Sequence, residues 1–213
     1  MVKKIPINSW QRKEHYEFFS KLEKPYYEIV SEIDASLAFY KAKEYNCSFF
    51  IYYIFMAMKA LNSIEEFRYR IKAGEVLLFD KIDLSSTIGR EDNTFGFSYI
   101  EYNSDLEIFK TNTQKEIDAV KNSTGLRVRE NEMKLNVVHC TVTPWLKFSG
   151  LSLAMSSLND CIPKITFGKC DTEKKVKTMP ASIHAHHGLV DGYHAALYFE
   201  RLQKLLNGED INT

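Results

Sequence analysis

Two adjacent histidines, followed by an aspartate four residues after the second, are the side chains here best suited to chemistry: His186-His187-Gly188-Leu189-Val190-Asp191-Gly192. An imidazole titrates near neutral pH, so His187 could accept and return a proton within one reaction cycle as a general base. That role requires its tautomer and orientation to be fixed by neighbours. Asp191 could do this directly, or by organising the loop through a pairing with an arginine. Two other readings stay open on these residues alone. His184 and His186 are two apart and would share one face of a strand, where they could chelate a metal and leave His187 on the opposite face. Alternatively the element is structural, with Asp191 as the N-cap of a following helix and the histidines as satisfied polar residues at a strand end.

The flanking pattern decides how such residues would be presented. A polar, β-branched run from Lys174 to His187 predicts a strand leading in, and Tyr193 to Leu206 carries apolar residues at helical spacing leading out, with Asn207-Gly208 as the stop. The histidines therefore fall where a strand ends and a turn begins. Upstream, Ser9 is a plausible N-cap for a helix over Trp10–Leu22, followed by an extended segment over Tyr26–Ile33. Asp34 is placed to cap a second helix over Ala35–Tyr45. Phe49–Leu61 is apolar nearly all round and predicts a buried helix. Glu66–Ile71 and Val76–Phe79 flank a turn and read as a hairpin. Leu84–Ile88 and Phe95–Tyr102 read as strands, and Ser104 to Val120 as an amphipathic helix with Leu106, Phe109, Thr113 and Ile117 on one stripe. The second half reads mostly as strand: Asn136–Thr143, Trp145–Ala154 and Lys164–Gly168 precede Lys174–His187.

Composition narrows the classes. The 213 residues are 45% hydrophobic and 13% aromatic, an ordered globular balance, and at this length roughly 70% of the unfolded surface can be buried without disulfide support. Twenty-eight basic and 28 acidic residues cancel, so nothing suggests a nucleic-acid partner. Cys47, Cys140, Cys161 and Cys170 form no CxxC pair and read as reduced thiols. The N-terminus lacks the apolar stretch of a signal peptide, and the longest apolar run, Phe49–Met58, is too short to span a bilayer. A cytoplasmic protein without membrane attachment is expected. No linker or internal repeat divides the chain, so residues 1–213 read as a single α/β domain.

Several separated segments, in order along nearly the whole chain, resemble the chloramphenicol acetyltransferase family. Trp10-Gln-Arg12-Lys-Glu14-His15 is similar to the family's N-terminal W-x-R-[RK]-E-H. Glu66 to Glu75 resembles its hairpin, Asn93-Thr94-Phe95 its ETF, and Thr141-Val-Thr-Pro144-Trp145 its SAxPW. Ile165-Thr166-Phe-Gly-Lys169 resembles ITMAK, and the segment from His186 to His194 resembles HHAVCDGFH. HHxxxDG alone is shared with dihydrolipoyl acyltransferases, condensation domains and plant acyltransferases; the N-terminal segment and the length single out this family.

The resemblance implies a two-layer mixed-sheet α/β sandwich of the CoA-dependent acyltransferase type, assembled as a homotrimer with active sites at subunit interfaces. It implies no permanently bound cofactor and no metal, with acetyl-CoA as co-substrate and chloramphenicol as the expected hydroxyl acceptor. His187 would be the general base, Thr141 the oxyanion hydroxyl where the family has serine, and Thr166 a water-mediated support of the same oxyanion. Arg12 and Asp191 would form a structural pair, and His186 would serve the fold. Lys169 would lie near the CoA phosphate, and Phe18, Phe19, Phe95 and Phe97 would form the acceptor pocket. Phe97, in place of a smaller residue, and Cys170, in place of tyrosine, depart from the family pattern and open the alternative of the same chemistry on another hydroxyl or amine. A metal-dependent hydrolase using His184 and His186, and a non-catalytic trimeric binding protein, are the remaining alternatives.

Overall fold

The computed structural model describes residues 1–128, 134–155 and 160–211. Nine strands and five α-helices are found among them: β1 (Val2–Lys4), α1 (Lys13–Phe19), β2 (Tyr26–Asp34), α2 (Ser36–Glu44), α3 (Phe49–Asn62), β3 (Tyr69–Lys72), β4 (Glu75–Phe79), β5 (Asp83–Gly89), β6 (Phe95–Ile100), α4 (Leu106–Lys121), β7 (Val137–Val142), β8 (Lys164–Phe167), β9 (Thr178–His186) and α5 (Gly192–Leu206). The architecture is mixed α/β. A six-stranded sheet runs β2-β9-β8-β7-β5-β6, and a small antiparallel sheet runs β1-β4-β3. In the large sheet only β8–β7 and β7–β5 pair in parallel.

Alternation along the central strands gives this sheet two unlike faces. Cys140, Ile165, Phe167, Ala181, Ile183 and Ala185 fall on one, all at most 2% exposed. They pack with the helices: Tyr53 of α3 lies 5.0 Å from Phe167, ring centroid to centroid. The other face carries His139, Thr141, Lys164, Thr166, Ser182 and His184, so candidate chemistry and apolar core occupy opposite sides of the same strands.

Local signals explain most boundaries. Ser48 caps α3 by accepting from the Ile51 N–H, and Asp105 caps α4 by accepting from Glu107 and Ile108. Asp34 accepts from the Ser36 N–H at 2.8 Å, although its own residue closes β2. The β3–β4 turn is Ala73-Gly74, with φ of 51° and 78°, the doubly left-handed pair that matches strand twist in a two-residue hairpin.

Four expectations fail. Glu66–Ile71 is strand only from Tyr69, because Glu65–Arg68 forms a 3₁₀ turn. Ser9 caps no helix; its hydroxyl donates to the Pro6 carbonyl within a short 3₁₀ turn, and α1 begins only at Lys13. Trp145–Ala154 forms no strand. Pro144 interrupts the pattern, Leu146 N–H turns back onto Thr143, and Trp145 is 76% exposed. The last strand starts at Thr178 rather than Lys174, because Lys174 folds back onto Asp171 and joins it in an ion pair.

Candidate active site

His187 lies just past the end of β9. Its N–H donates to the Pro25 carbonyl at 2.7 Å, which ties the strand end to the start of β2. The ring is held by its faces: Phe19 of α1 stacks on it at 3.9 Å and 4°, and Tyr27 of β2 leans on it at 4.8 Å. Nδ1 of His187 is buried and has no hydrogen-bond partner among the described residues. Burial, then the nearby Asp191 charge, pushes the Tyr27 phenol upward, so it stays protonated beside the imidazole. Phe18 packs edge-on against Phe19 and is 62% exposed.

His186 is oriented differently. It is 4% exposed, and its Nδ1 accepts from the Gly188 N–H at 3.1 Å. Space at Gly188 is tight: a Cβ would come within 3.0 Å of the His186 ring and 3.2 Å of Tyr16 Cα. Burial, with the neighbouring His187 adding to it, drives the His186 pKa down to about 4, so the ring is neutral. His184 does share the His186 face, as the two-residue spacing predicts. Among the described residues, however, no three His, Cys, Asp or Glu side chains are grouped to hold a metal.

Asp191 caps α5, accepting from the Tyr193 N–H, while His194 Nδ1 receives the Asp191 N–H at 3.2 Å. Asp191 Oδ2 also takes a hydrogen bond from Arg12 Nη1 at 2.8 Å, across 179 residues of sequence. The pair is single rather than forked: Arg12 Nε and Nη2 are buried without partners among the described residues. Burial opposes the Asp191 charge, but the Arg12 hydrogen bond, neighbouring His194 and the Tyr193 N–H outweigh it and hold the carboxyl below its ordinary range. His194 Nε2 in turn faces Glu66 Oε1 at 3.4 Å. Arg12, Asp191, His194 and Glu66 thus tie the segment before α1 and the turn ahead of β3 to the loop that carries His187. Glu66 and His194 were not singled out from the sequence; the His194 signal was there, as the third residue of the helix that Asp191 caps.

Thr141 lies elsewhere. It pairs in register with Thr166, and Thr166 with Ser182. His187 is five residues beyond Ser182 along β9, and Thr141 two strands across, so the two candidates are roughly 15–20 Å apart on strand geometry. Thr141 borders a cavity of about 420 Å³ with Phe97, and Phe97 packs against Phe95. Thr166 is fully buried, its hydroxyl without a partner among the described residues. A second cleft of about 600 Å³ is lined by Tyr53, Trp145, Lys169 and Cys170, and Thr87 borders both spaces. The sequence candidates therefore form two groups: His187, Asp191, Arg12, Phe18 and Phe19 in one, Thr141, Thr166, Phe95, Phe97 and Lys169 toward the other.

A family model of chloramphenicol acetyltransferase matches residues 1–203. The chain belongs to the chloramphenicol acetyltransferase family. It is 27% identical over 208 residues to chloramphenicol acetyltransferase 3 of Escherichia coli, covering 97% of each chain. It is 30% identical over 207 residues to the chloramphenicol acetyltransferase of Campylobacter coli, covering 96% of this chain and 98% of that one. A solved chloramphenicol acetyltransferase structure superposes with a TM-score of 0.90 at 30% identity, over 97% of this chain and all of the other. At 27–30% identity, this is a divergent member. Among the described residues, no helix is long and apolar enough to cross a membrane.

Proposed function

We propose that the chain is an acetyl-CoA-dependent O-acetyltransferase acting on chloramphenicol by direct transfer, as one domain over residues 1–213, in the cytoplasm. His187 takes the proton from the acceptor hydroxyl as that oxygen attacks the thioester carbonyl. The Thr141 hydroxyl donates to the resulting oxyanion, with Thr166 supporting it through water. Collapse of the tetrahedral adduct expels the CoA thiolate, which the imidazolium protonates. Ester and free CoA leave, and His187 is neutral again. Asp191 is not a proton relay in this scheme, because its carboxylate faces Arg12 and its own helix.

The separation of His187 from Thr141 carries the assembly. A base and an oxyanion donor must meet around one carbonyl within a few ångström, so a chain that keeps them roughly 15–20 Å apart needs a second copy to complete the site. This supports a homotrimer with sites at subunit interfaces, His187 from one subunit and Thr141 from the next. Phe18, Val128, Trp145 and Leu146 are all more than 60% exposed, which supports burial against another copy. The 600 Å³ cleft suits the CoA arm, with Lys169 near its phosphate. Thr87 lines both it and the Thr141 cavity, which supports thioester and acceptor converging beside Thr141. Phe95 and Phe97 would wall the acceptor on one subunit, Phe18 and Phe19 on the other.

The test is thiol release from acetyl-CoA with chloramphenicol, using the intact protein and co-purified mixtures of His187→Ala and Thr141→Val chains. Each variant alone is expected to be nearly inactive. Randomly mixed trimers should regain about a quarter of the sites, because one interface in four then joins an intact His187 to an intact Thr141. No release with chloramphenicol would overturn the acceptor assignment. No recovery in the mixture would overturn the shared site.

A further inference from the structure

The cavity beside Thr141 has a polar end that an oxyanion donor does not need. Phe97, Val128, Leu153 and Ala154 give it hydrocarbon, but Ser85, His139 and Lys164 line it too. His139 stands two residues before Thr141 on β7, and Lys164 two residues before Thr166 on β8. The two are paired directly in register, so both project from the Thr141 face one row away.

Lys164 is 7% exposed. Its Nζ donates to Asp160 Oδ2 at 2.9 Å and to the Ile162 carbonyl at 3.4 Å, and an ammonium has three protons. Among the described residues one donor therefore remains for whatever occupies the cavity. Asp160 is itself 6% exposed and accepts from the Ile162 N–H at 3.0 Å, so the pair is fixed in place. Stability does not account for it, because hydrocarbon of the same volume usually serves a buried site as well as an ion pair does. Recognition of a ligand does account for it. Asp160 balances the Lys164 charge within the pair, and the buried Arg70 guanidinium also acts on His139 and Asp160. A neutral oxygen can take the remaining Lys164 donor without the repulsion that the Asp160 carboxylate would exert on an anionic group. Burial, reinforced by the Lys164 charge, lowers the His139 pKa to about 4, so His139 adds one donor and one acceptor and no charge.

We infer that Lys164, held by Asp160, and His139 form a polar subsite of the acceptor pocket, one strand row (roughly 7–8 Å) from Thr141, selecting a hydroxyl acceptor that bears a neutral hydrogen-bond-accepting group. This rests on the Thr141 cavity being the acceptor site. The probes are chloramphenicol and its analogue with isopropyl in place of the nitro group, which keeps the shape and removes the acceptor oxygens. In the wild-type protein kcat/KM should favour the nitro compound by about 10- to 100-fold, the discrimination expected of one buried charged donor. In Lys164→Met/Asp160→Asn, which removes both charges and keeps the Ile162 hydrogen bond, the ratio should fall to within about threefold of unity. His139→Phe, which leaves the ion pair intact, should lower it by a smaller factor and covers the case in which the double variant does not fold. A wild-type ratio near one, or a ratio unchanged in the variants, would overturn the inference. If neither compound is acetylated, the transfer reading fails instead; calorimetric affinities of the two compounds for wild type and variants then judge the subsite by the same ratio.

Discussion

Replacing Arg12 by Met would remove the cation that holds Asp191 without emptying the space its chain fills. The Arg12 side chain is 12% exposed and the Asp191 side chain 27%, between a buried pair and a surface one. Stranding one partner of a fully buried pair costs about 3–5 kcal/mol, and an exposed pair contributes about 0–1 kcal/mol. Asp191 keeps the Tyr193 N–H and neighbouring His194, so about 2–3 kcal/mol is the expected loss. In a chain of this length that is about 5–10 °C in Tm, measured at fixed protein concentration because assembly contributes to stability. kcat should fall too, since the loop from His187 to Asp191 loses its anchor. Asp191 has a lowered folded pKa, so its contribution is present above the unfolded carboxylate value and is lost as pH falls through the folded one. The variant should accordingly lose less additional stability than wild type below about pH 4. Arg12→Lys should recover part of the effect, because only one guanidinium nitrogen bonds Asp191. A melting point within about 1 °C of wild type, together with normal turnover, would refute the pair as an anchor.

Three further outcomes are expected. Thr141→Ser should stay active and Thr141→Val should lose on the order of 10²–10³ in kcat with little change in Tm, read by steady-state kinetics; equal rates would remove Thr141 from the chemistry. Lys169→Ala should raise KM for acetyl-CoA and leave KM for 3′-dephospho-acetyl-CoA unchanged; an equal rise for both would place the lysine away from that phosphate. His186 has a folded pKa near 4 against an unfolded value near 6.5, so its share of stability is complete above pH 6.5 and disappears as pH drops toward 4. Melts across that window should steepen for wild type and flatten for His186→Gln, and identical slopes would contradict a buried neutral imidazole.

Much of the candidate site's local geometry could be read from residue types because its determinants are local. Alternation along the strands separates His186 from His187, Asp191 sits one residue before a helical pattern, and the helix over Phe49–Leu61 is apolar enough to declare its burial. The sequence reading stumbled where a local pattern met a competing tertiary contact. Ser9 looked like a cap but found the Pro6 carbonyl, and the run after Pro144 has strand-forming residues yet pairs with no strand among the described residues. His139 and Lys164 escaped notice because each is unremarkable in its own segment; only the β7–β8 register puts them together beside Thr141.

Composition, spacing and motif order were sufficient for the α/β class, the family and the identity of the candidate side chains, since these depend on short-range periodicity and covalent order. Distances across the sheet are not encoded at that range. Tertiary packing joins Arg12 to Asp191 across 179 residues, and strand order and register keep His187 away from Thr141 and set Lys164 beside the Thr141 cavity. Tertiary structure fixed where each side chain of the HHxxxDG element points, because a group can act only where the folded backbone carries it.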